Sequence, residues 1–244
     1  MHPNSDNTIS FSIFTRFPEL FCTMSTRSTG NLMIKDKITT KVRQFIKIQG
    51  IRHGQFIAME QCHGNKVEIV TSQSSGMVIK GVDGLVTTTQ ELYIGVNTAD
   101  CVPLFFYDPE KKLIAVIHAG WKGTLGNIAG NTVKLLQELG SDPKDIVVVI
   151  GPHIGGCCYD VSSVRARLFL KTFNNQNISF KVNGKWFLDI GQANNLQMQK
   201  YGILQEHIDA PIHCTSCQND RFFSFRKDSK DCFGEMLGVI GMRN

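Results

Sequence analysis

Val102-Pro103-Leu104-Phe105-Phe106-Tyr107 and, beyond Asp108-Pro109, Leu113-Ile114-Ala115-Val116-Ile117-His118 form the stretch on which the fold reading turns. Both are short, apolar, β-rich runs with Asp and Pro between them and Gly120 after them, the punctuation of strands. Upstream the same pattern recurs at Tyr93–Val96, Leu85–Val86, Val67–Val70, Phe56–Met59 and Ile9–Phe14. Downstream, the spacing of Ile128, Thr132, Leu135, Leu136 and Leu139 predicts a helix after Gly123 that stops at Gly140. Asp142-Pro143 then turns the chain into Ile146–Ile150, a continuous apolar run that reads as a buried strand. Val161–Phe173 and Ala193–Tyr201 read as helices, and Phe222–Phe225 and Met236–Ile240 as closing strands. Ile34, Ile38, Val42, Phe45 and Ile46 recur at helical spacing. The sum is mixed α and β around a sizeable sheet core.

With 244 residues, 42% of them hydrophobic, one large domain spanning 1–244 is affordable, and no linker-like stretch divides it. No apolar run approaches the roughly 18 residues of a membrane span, and Met1-His2-Pro3-Asn4-Ser5-Asp6 is unlike a secretory signal. The expectation is a cytoplasmic chain whose eight cysteines are reduced thiols. The net charge of +5 concentrates in Lys35, Lys37, Lys41, Arg43, Lys47 and Arg52. Helical spacing puts these on a solvated face, and no interleaved aromatic residues accompany them, so no nucleic-acid partner is expected.

Three clusters carry possible chemistry: Gln61-Cys62-His63-Gly64, Thr98-Ala99-Asp100-Cys101, and His118-Ala119-Gly120-Trp121-Lys122-Gly123. Each puts a His or Cys near a strand end, where a rigid sheet presents reactive groups. The separations of 63, 101 and 118 match no short metal motif. From the residues alone, structural, metal-ligating and thiol roles all stay open.

Thr98 to Pro103, His118 to Gly123 and Gly151-Pro152-His153-Ile154-Gly155-Gly156-Cys157-Cys158-Tyr159-Asp160-Val161 resemble the multicopper polyphenol oxidase, or laccase-domain, family. That family is better described as zinc-dependent, YfiH-like purine nucleoside phosphorylases. The resemblance extends through Val82-Asp83-Gly84-Leu85-Val86-Thr87, Cys214-Thr215 and Phe222-Phe223-Ser224-Phe225-Arg226, in order from about residue 10 to the end. It implies an α+β single domain with a two-layer β core flanked by helices, α/β/β/α-like. It also implies one Zn2+ per chain on His63, Cys101 and His118, which double as catalytic residues. The implied partners are purine nucleosides and phosphate: phosphorolysis of adenosine, inosine, guanosine and methylthioadenosine, and deamination of adenosine. The chain is expected to be a monomer or weak homodimer.

Copper is disfavoured, because multicopper oxidation needs several histidine-rich sites and this chain has seven histidines. Three protein ligands leave a tetrahedral zinc one open position. Asp100 is the candidate proton shuttle, with a turn or supporting role as the alternative. Arg27 matches an arginine of the family's N-terminal motif and, with Lys122 and Arg226, is a candidate for phosphate or substrate binding. Trp121 is placed either against a purine or in the core. A second, structural zinc on His213, Cys214, Cys217 and Cys232 is considered, with Cys157 and Cys158 as buried packing residues.

Departures from the family pattern are Lys122 where arginine is frequent, Gly156 for proline, Glu235 for a basic residue, and a contracted Ser28-Thr29-Gly30-Asn31. Two rival readings remain. One makes Cys101 and His118 a thiol nucleophile and its base in a hydrolase or amidase. The other is a peptidoglycan-editing factor.

Overall fold

The computed structural model describes residues 7–175, 177–211, 213–229 and 233–243; residues 1–6 and Cys232, both used in the sequence reading, lie outside them. Val102–Asp108 and Leu113–Ala119 pair antiparallel in full register, from Val102 opposite Ala119 to Asp108 opposite Leu113. Every residue of both strands is buried. Alternation along a strand sends its side chains to opposite faces, so a strand apolar at every position must be covered on both.

The coverings differ. Phe105, Tyr107, Ile114 and Val116 face a second sheet and pack with its Ile57, Ile94, Val96 and Ile240. Leu104, Phe106, Ala115 and Ile117 face helices and pack with Ile128, Val133, Leu136, Phe169 and Met198. The outer face of the second sheet, with Phe56, Tyr93 and Val239, is closed by Val42, Phe45 and Ile46 of the helix Thr40–Ile48. The layers therefore run helix, sheet, sheet, helix, as the family resemblance implied. Truncating a ring such as Phe105, fully buried between the sheets, would cost about 3–5 kcal/mol.

One six-stranded sheet runs Thr8–Ile9, Leu20–Ser25, Met236–Met242, Tyr93–Thr98, Phe56–Glu60, Val78–Lys80. The other runs Ile208–Asp209, Val147–Ile150, Val102–Asp108, Leu113–Ala119, Gly84–Thr87, Val67–Ile69. The chain crosses between sheets at residues 99–101, where Asp100 sits at φ 87°. That left-handed value is one a non-glycine residue holds only under local restraint.

Several expected elements shift for identifiable reasons. The helix expected around Ile34–Ile46 starts only at Thr40, where the Thr39 side chain caps the Val42 N–H at 3.3 Å; Ile34 and Ile38 still join the same core. The helix after Gly123 is two pieces, Trp121–Leu125 and Ile128–Glu138, broken at Asn127, whose φ is 61°. Phe222–Phe225 is not a strand. Backbone N–H groups in and next to it are taken outside any ladder, Phe222 by the Gln218 carbonyl at 2.9 Å, Ser224 by Asp228 at 2.9 Å and Arg226 by Asp100 at 2.7 Å.

Candidate metal centre

His63, Cys101 and His118 come together at one end of the two sheets. His63 lies on the turn after Phe56–Glu60, Cys101 on the crossover between sheets, and His118 near the end of Leu113–Ala119. Each offers one donor atom, and the three donors lie within 4.8 Å of one another. The two imidazole rings meet edge to face, centroids 4.8 Å apart. His118 is buried, Cys101 half-buried and His63 exposed, so the cluster opens to solvent on one side.

Asp83, fully buried, builds this site, and the sequence reading assigned it no role. Its Oδ1 faces His118 Nδ1 at 2.8 Å and accepts the His63 N–H at 2.9 Å. Its Oδ2 accepts the N–H groups of Gly64 at 2.6 Å and Cys62 at 3.2 Å, and the Cys62 thiol at 3.1 Å. One carboxylate thus shapes the turn that presents His63 and occupies one nitrogen of His118, leaving Nε2 for the shared centre. The signal available in sequence was Asp83 itself, within the quoted Val82–Thr87 block. Nothing local linked it to His118, 35 residues on.

Burial opposes the charge on Asp83, yet hydrogen bonds from His118 and Cys62, the His118 charge and the Gly64 N–H bring its pKa down to about 2. Burial likewise works against ionised Cys101, but the charge and hydrogen bond of His118, then those of His63, hold it near 7. Burial pulls His118 down; the Cys101 charge and the bonds to Asp83 and Cys101 outweigh it and raise it to about 10. Without a metal the site therefore favours a thiolate beside an imidazolium; a metal takes the thiolate as it stands and displaces the imidazolium proton, because it binds imidazole only in its neutral form.

Two glycines make room. A Cβ on Gly120 would stand 3.1 Å from His63 Cδ2 and 3.2 Å from Cys101 Sγ, inside the donor cluster. A Cβ on Gly123 would stand 2.5 Å from the Gly64 carbonyl oxygen, so only glycine lets the helix Trp121–Leu125 lie against the turn of His63. A chain that keeps side chains out of the space between one sulfur and two imidazoles fits a bound metal ion.

The other expected site residues divide. Asp100 accepts the Thr215 hydroxyl at 2.6 Å and the Arg226 N–H at 2.7 Å, which is the geometry of a turn brace beside Cys101. Arg27 pairs with Asp228 and lies 4.5 Å over the Phe223 ring. The Arg226 guanidinium pairs with Asp160 and lies 5.2 Å over Tyr159. Lys122 is exposed, its ammonium 5.7 Å from the Trp121 ring. Arg165, which the sequence reading did not single out, stacks 4.2 Å over the same indole and donates to the Tyr159 hydroxyl at 3.1 Å. Tyr159 in turn feels the charges of Cys101 and Arg226. Trp121, half-buried, packs against the core on one side and carries these cations on the other.

Glu235 is near enough for the charges of His118 and His63 to act on it. Burial pushes its carboxyl up, against the opposing charges of His118, His63 and Lys35. Its N–H donates to Asn31 Oδ1 at 3.1 Å, joining it to the contracted Ser28–Asn31 segment.

Sulfur gathers at a second place, which includes two of the expected residues, Cys214 and Cys217, while Cys232 lies outside the described residues. Cys214 and Cys217 are joined by Cys157 and Cys158, all four sulfurs within 4.8 Å of one another. His213 is turned to Gln218 at 3.2 Å, and Cys157 is exposed where a packing residue was expected.

Residues 33–243 match the model of the multi-copper polyphenol oxidoreductase laccase family. The chain belongs to that family. Within it, the purine nucleoside phosphorylase YlmD of Geobacillus stearothermophilus is 36% identical over 200 residues, 78% of this chain and 73% of that protein. Its crystal structure superposes with a TM-score of 0.86 and 32% identity, covering 93% of each chain. The crystal structure of the Bacillus licheniformis hypothetical protein YfiH superposes at 0.89 with 26% identity, covering 98% of each. Adenosine deaminase RL5, from an unknown prokaryotic organism, is 31% identical over 188 residues, 73% of this chain and 72% of that protein. Among the described residues, no helix is long and apolar enough to cross a membrane.

Proposed function

We propose that this chain is a zinc-dependent purine nucleoside enzyme that cleaves nucleosides with phosphate and deaminates adenosine, with His63, Cys101 and His118 as the metal ligands. The observation that carries the reading is the convergence of two imidazoles and one thiolate, braced by a buried carboxylate, in a space that Gly120 keeps clear. Relatives named for purine nucleoside phosphorolysis and adenosine deamination support the substrate class. One thiolate with two imidazoles at a single point suits zinc better than a multicopper array. Held by His63, Cys101 and His118, zinc would supply Lewis acidity at this point.

The chain's own residues do the rest. Asp83 keeps His118 in one orientation. Arg165 and Lys122, around Trp121, form the cationic wall for phosphate: Arg165 pairs with no carboxylate among the described residues, whereas Arg27 and Arg226 do. An unpaired guanidinium keeps its forked donors for an incoming oxyanion. Trp121 and Tyr159 hold Arg165 in place, the indole under its guanidinium and the Tyr159 hydroxyl as its acceptor. Glu235, whose carboxyl burial pushes above its ordinary value and on which the charges of His118 and His63 act, is the candidate for proton exchange at the centre, and Asp100 is kept in place by two donors and serves as the brace of Cys101.

Chromatography of adenosine and inosine incubated with purified protein tests this. Free base and ribose-1-phosphate should appear only with phosphate present, and inosine should form from adenosine without it. Untouched nucleosides at micromolar protein would end the substrate assignment.

A second reading has one observation in its favour, the depressed Cys101 thiol beside a raised His118, which is also the pattern of a thiol nucleophile and its base. It predicts an active metal-free protein inactivated by iodoacetamide. The zinc reading predicts that Cys101→Ala removes one metal equivalent together with activity.

A further inference from the structure

We propose that Cys157, Cys158, Cys214 and Cys217 form a second metal site, a four-thiolate zinc site that pins together the two loops walling the first centre. The Sγ atoms of Cys158 and Cys217 are 3.3 Å apart, those of Cys157 and Cys217 3.6 Å, and those of Cys157 and Cys158 3.8 Å. Zinc bound by four sulfurs at about 2.3 Å places neighbouring sulfurs about 3.8 Å apart along the edges of the tetrahedron. The chain holds Cys157, Cys158 and Cys217 close to that spacing, with Cys214 within 4.8 Å of them, before any ion arrives.

The backbone around them is arranged for thiolates. Cys214-Thr215-Ser216-Cys217 is a Cys-x-x-Cys turn, and Cys214 Sγ accepts N–H groups from Gly155, at 3.3 Å, and from Cys217. Backbone donors aimed at a sulfur stabilise its anion, as in the outer shell of a metal site. The other two ligands come from the Gly155-Gly156-Cys157-Cys158 turn, where a Cβ on Gly155 would stand 3.2 Å from Cys157 Sγ and 3.7 Å from Cys214 Sγ. A disulfide pair needs two sulfurs. Here four meet from two loops, and adjacent cysteines such as Cys157 and Cys158 join poorly to each other.

What the site would hold is visible in the hydrogen bonds on either side of it. His153 N–H donates to the His213 carbonyl at 3.1 Å, and Thr215 N–H to the His153 carbonyl at 3.0 Å. Thr215 then donates its hydroxyl to Asp100 at 2.6 Å, and the Ile154 N–H reaches the Asp100 carbonyl at 3.0 Å. Both loops therefore meet the residue beside Cys101. An ion joining them closes a loop of about 60 residues, and such long-range links restrict the unfolded chain most.

The inference does not rest on the nucleoside reading. Protein purified under reducing conditions without chelator should carry two zinc equivalents per chain by elemental analysis. Cys101→Ala, which leaves all four cysteines intact, should retain one. After cadmium exchange, it should keep about four-fifths of the wild-type thiolate charge-transfer absorption, because four of five ligating thiolates remain. The double variant C157S/C217S should also carry one equivalent and show faster amide exchange in residues 214–226. Metal-free Cys101→Ala, or a Cys158–Cys217 disulfide found by mass spectrometry in the reduced preparation, would overturn the proposal. The Cys101→Ala result decides it even if the double variant fails to fold. Loss of nucleoside turnover in the wild type would leave the metal count unaffected.

Discussion

Replacing Asp83 by Asn changes one buried atom from acceptor to donor, and the geometry prevents rotation from rescuing it. Oδ1 faces two donors, the His63 N–H and His118 Nδ1; Oδ2 faces three, the Gly64 and Cys62 N–H groups and the Cys62 thiol. Whichever way the amide turns, its NH2 group confronts at least two donors in a position with no exposure to water. A buried donor left without an acceptor costs about 1–3 kcal/mol, so the expected loss of stability is about 2–6 kcal/mol. For a chain of this length the lower bound is a fall of about 4–8 °C in Tm, readable by calorimetry on the metal-free protein. The same substitution frees the His118 ring and should weaken metal binding about 10–100-fold in a chelator competition. Cys62→Ala removes only a thiol donor and is the control, expected to change both quantities little. An Asp83→Asn protein with wild-type Tm and metal affinity would refute the idea that this carboxylate organises the centre.

Gly120→Ala is compatible with the backbone, whose φ is −72°, yet puts a methyl 3.1–3.2 Å from His63 and Cys101. The metal-free Tm should stay within about 3 °C of wild type, while metal affinity measured by calorimetric titration falls at least about tenfold. Arg165→Ala should raise the KM for phosphate about tenfold or more and leave phosphate-independent deamination within about twofold, separable by steady-state kinetics at varied phosphate. Glu19 is held at about 2 by hydrogen bonds from Lys112 and Tyr107, below its ordinary 4.5. A depressed carboxylate stabilises the fold above its unfolded pKa and ceases to do so as pH falls through the folded one. Glu19→Gln should therefore cost up to about 1 kcal/mol at neutral pH, a figure reduced for its partial exposure, and the difference should vanish between pH 4.5 and 2 in denaturant titrations.

Much of the architecture was legible from local pattern. Runs such as Val102–Tyr107 and Ile146–Ile150 are apolar at every position and short, as a strand covered on both faces requires, and both supply interior strands of their sheet. The expected closing strand Phe222–Phe225 failed because apolar content does not reveal where backbone donors go. There the Phe222 N–H goes to the Gln218 carbonyl, and those of Ser224 and Arg226 to the carboxylates of Asp228 and Asp100. Cys158 does pack against the core, as expected, but Cys157 is exposed, and the approach of both to Cys214 and Cys217 crosses more than fifty residues that no local pattern links.

The amino-acid order alone determined the layered sheet-and-helix class and the three clusters at strand ends, and through family resemblance it singled out His63, Cys101 and His118. These follow from short-range rules, since strand alternation, helix period and turn chemistry depend on neighbours within a few residues. Tertiary structure decided which groups act together: Asp83 with His118, Arg165 over Trp121, Glu235 within the field of His118 and His63, and four sulfurs from two loops. Those meetings depend on the order of strands in the two sheets and on the crossover at Asp100, and a contact between distant residues leaves no period along the chain for a reader to find.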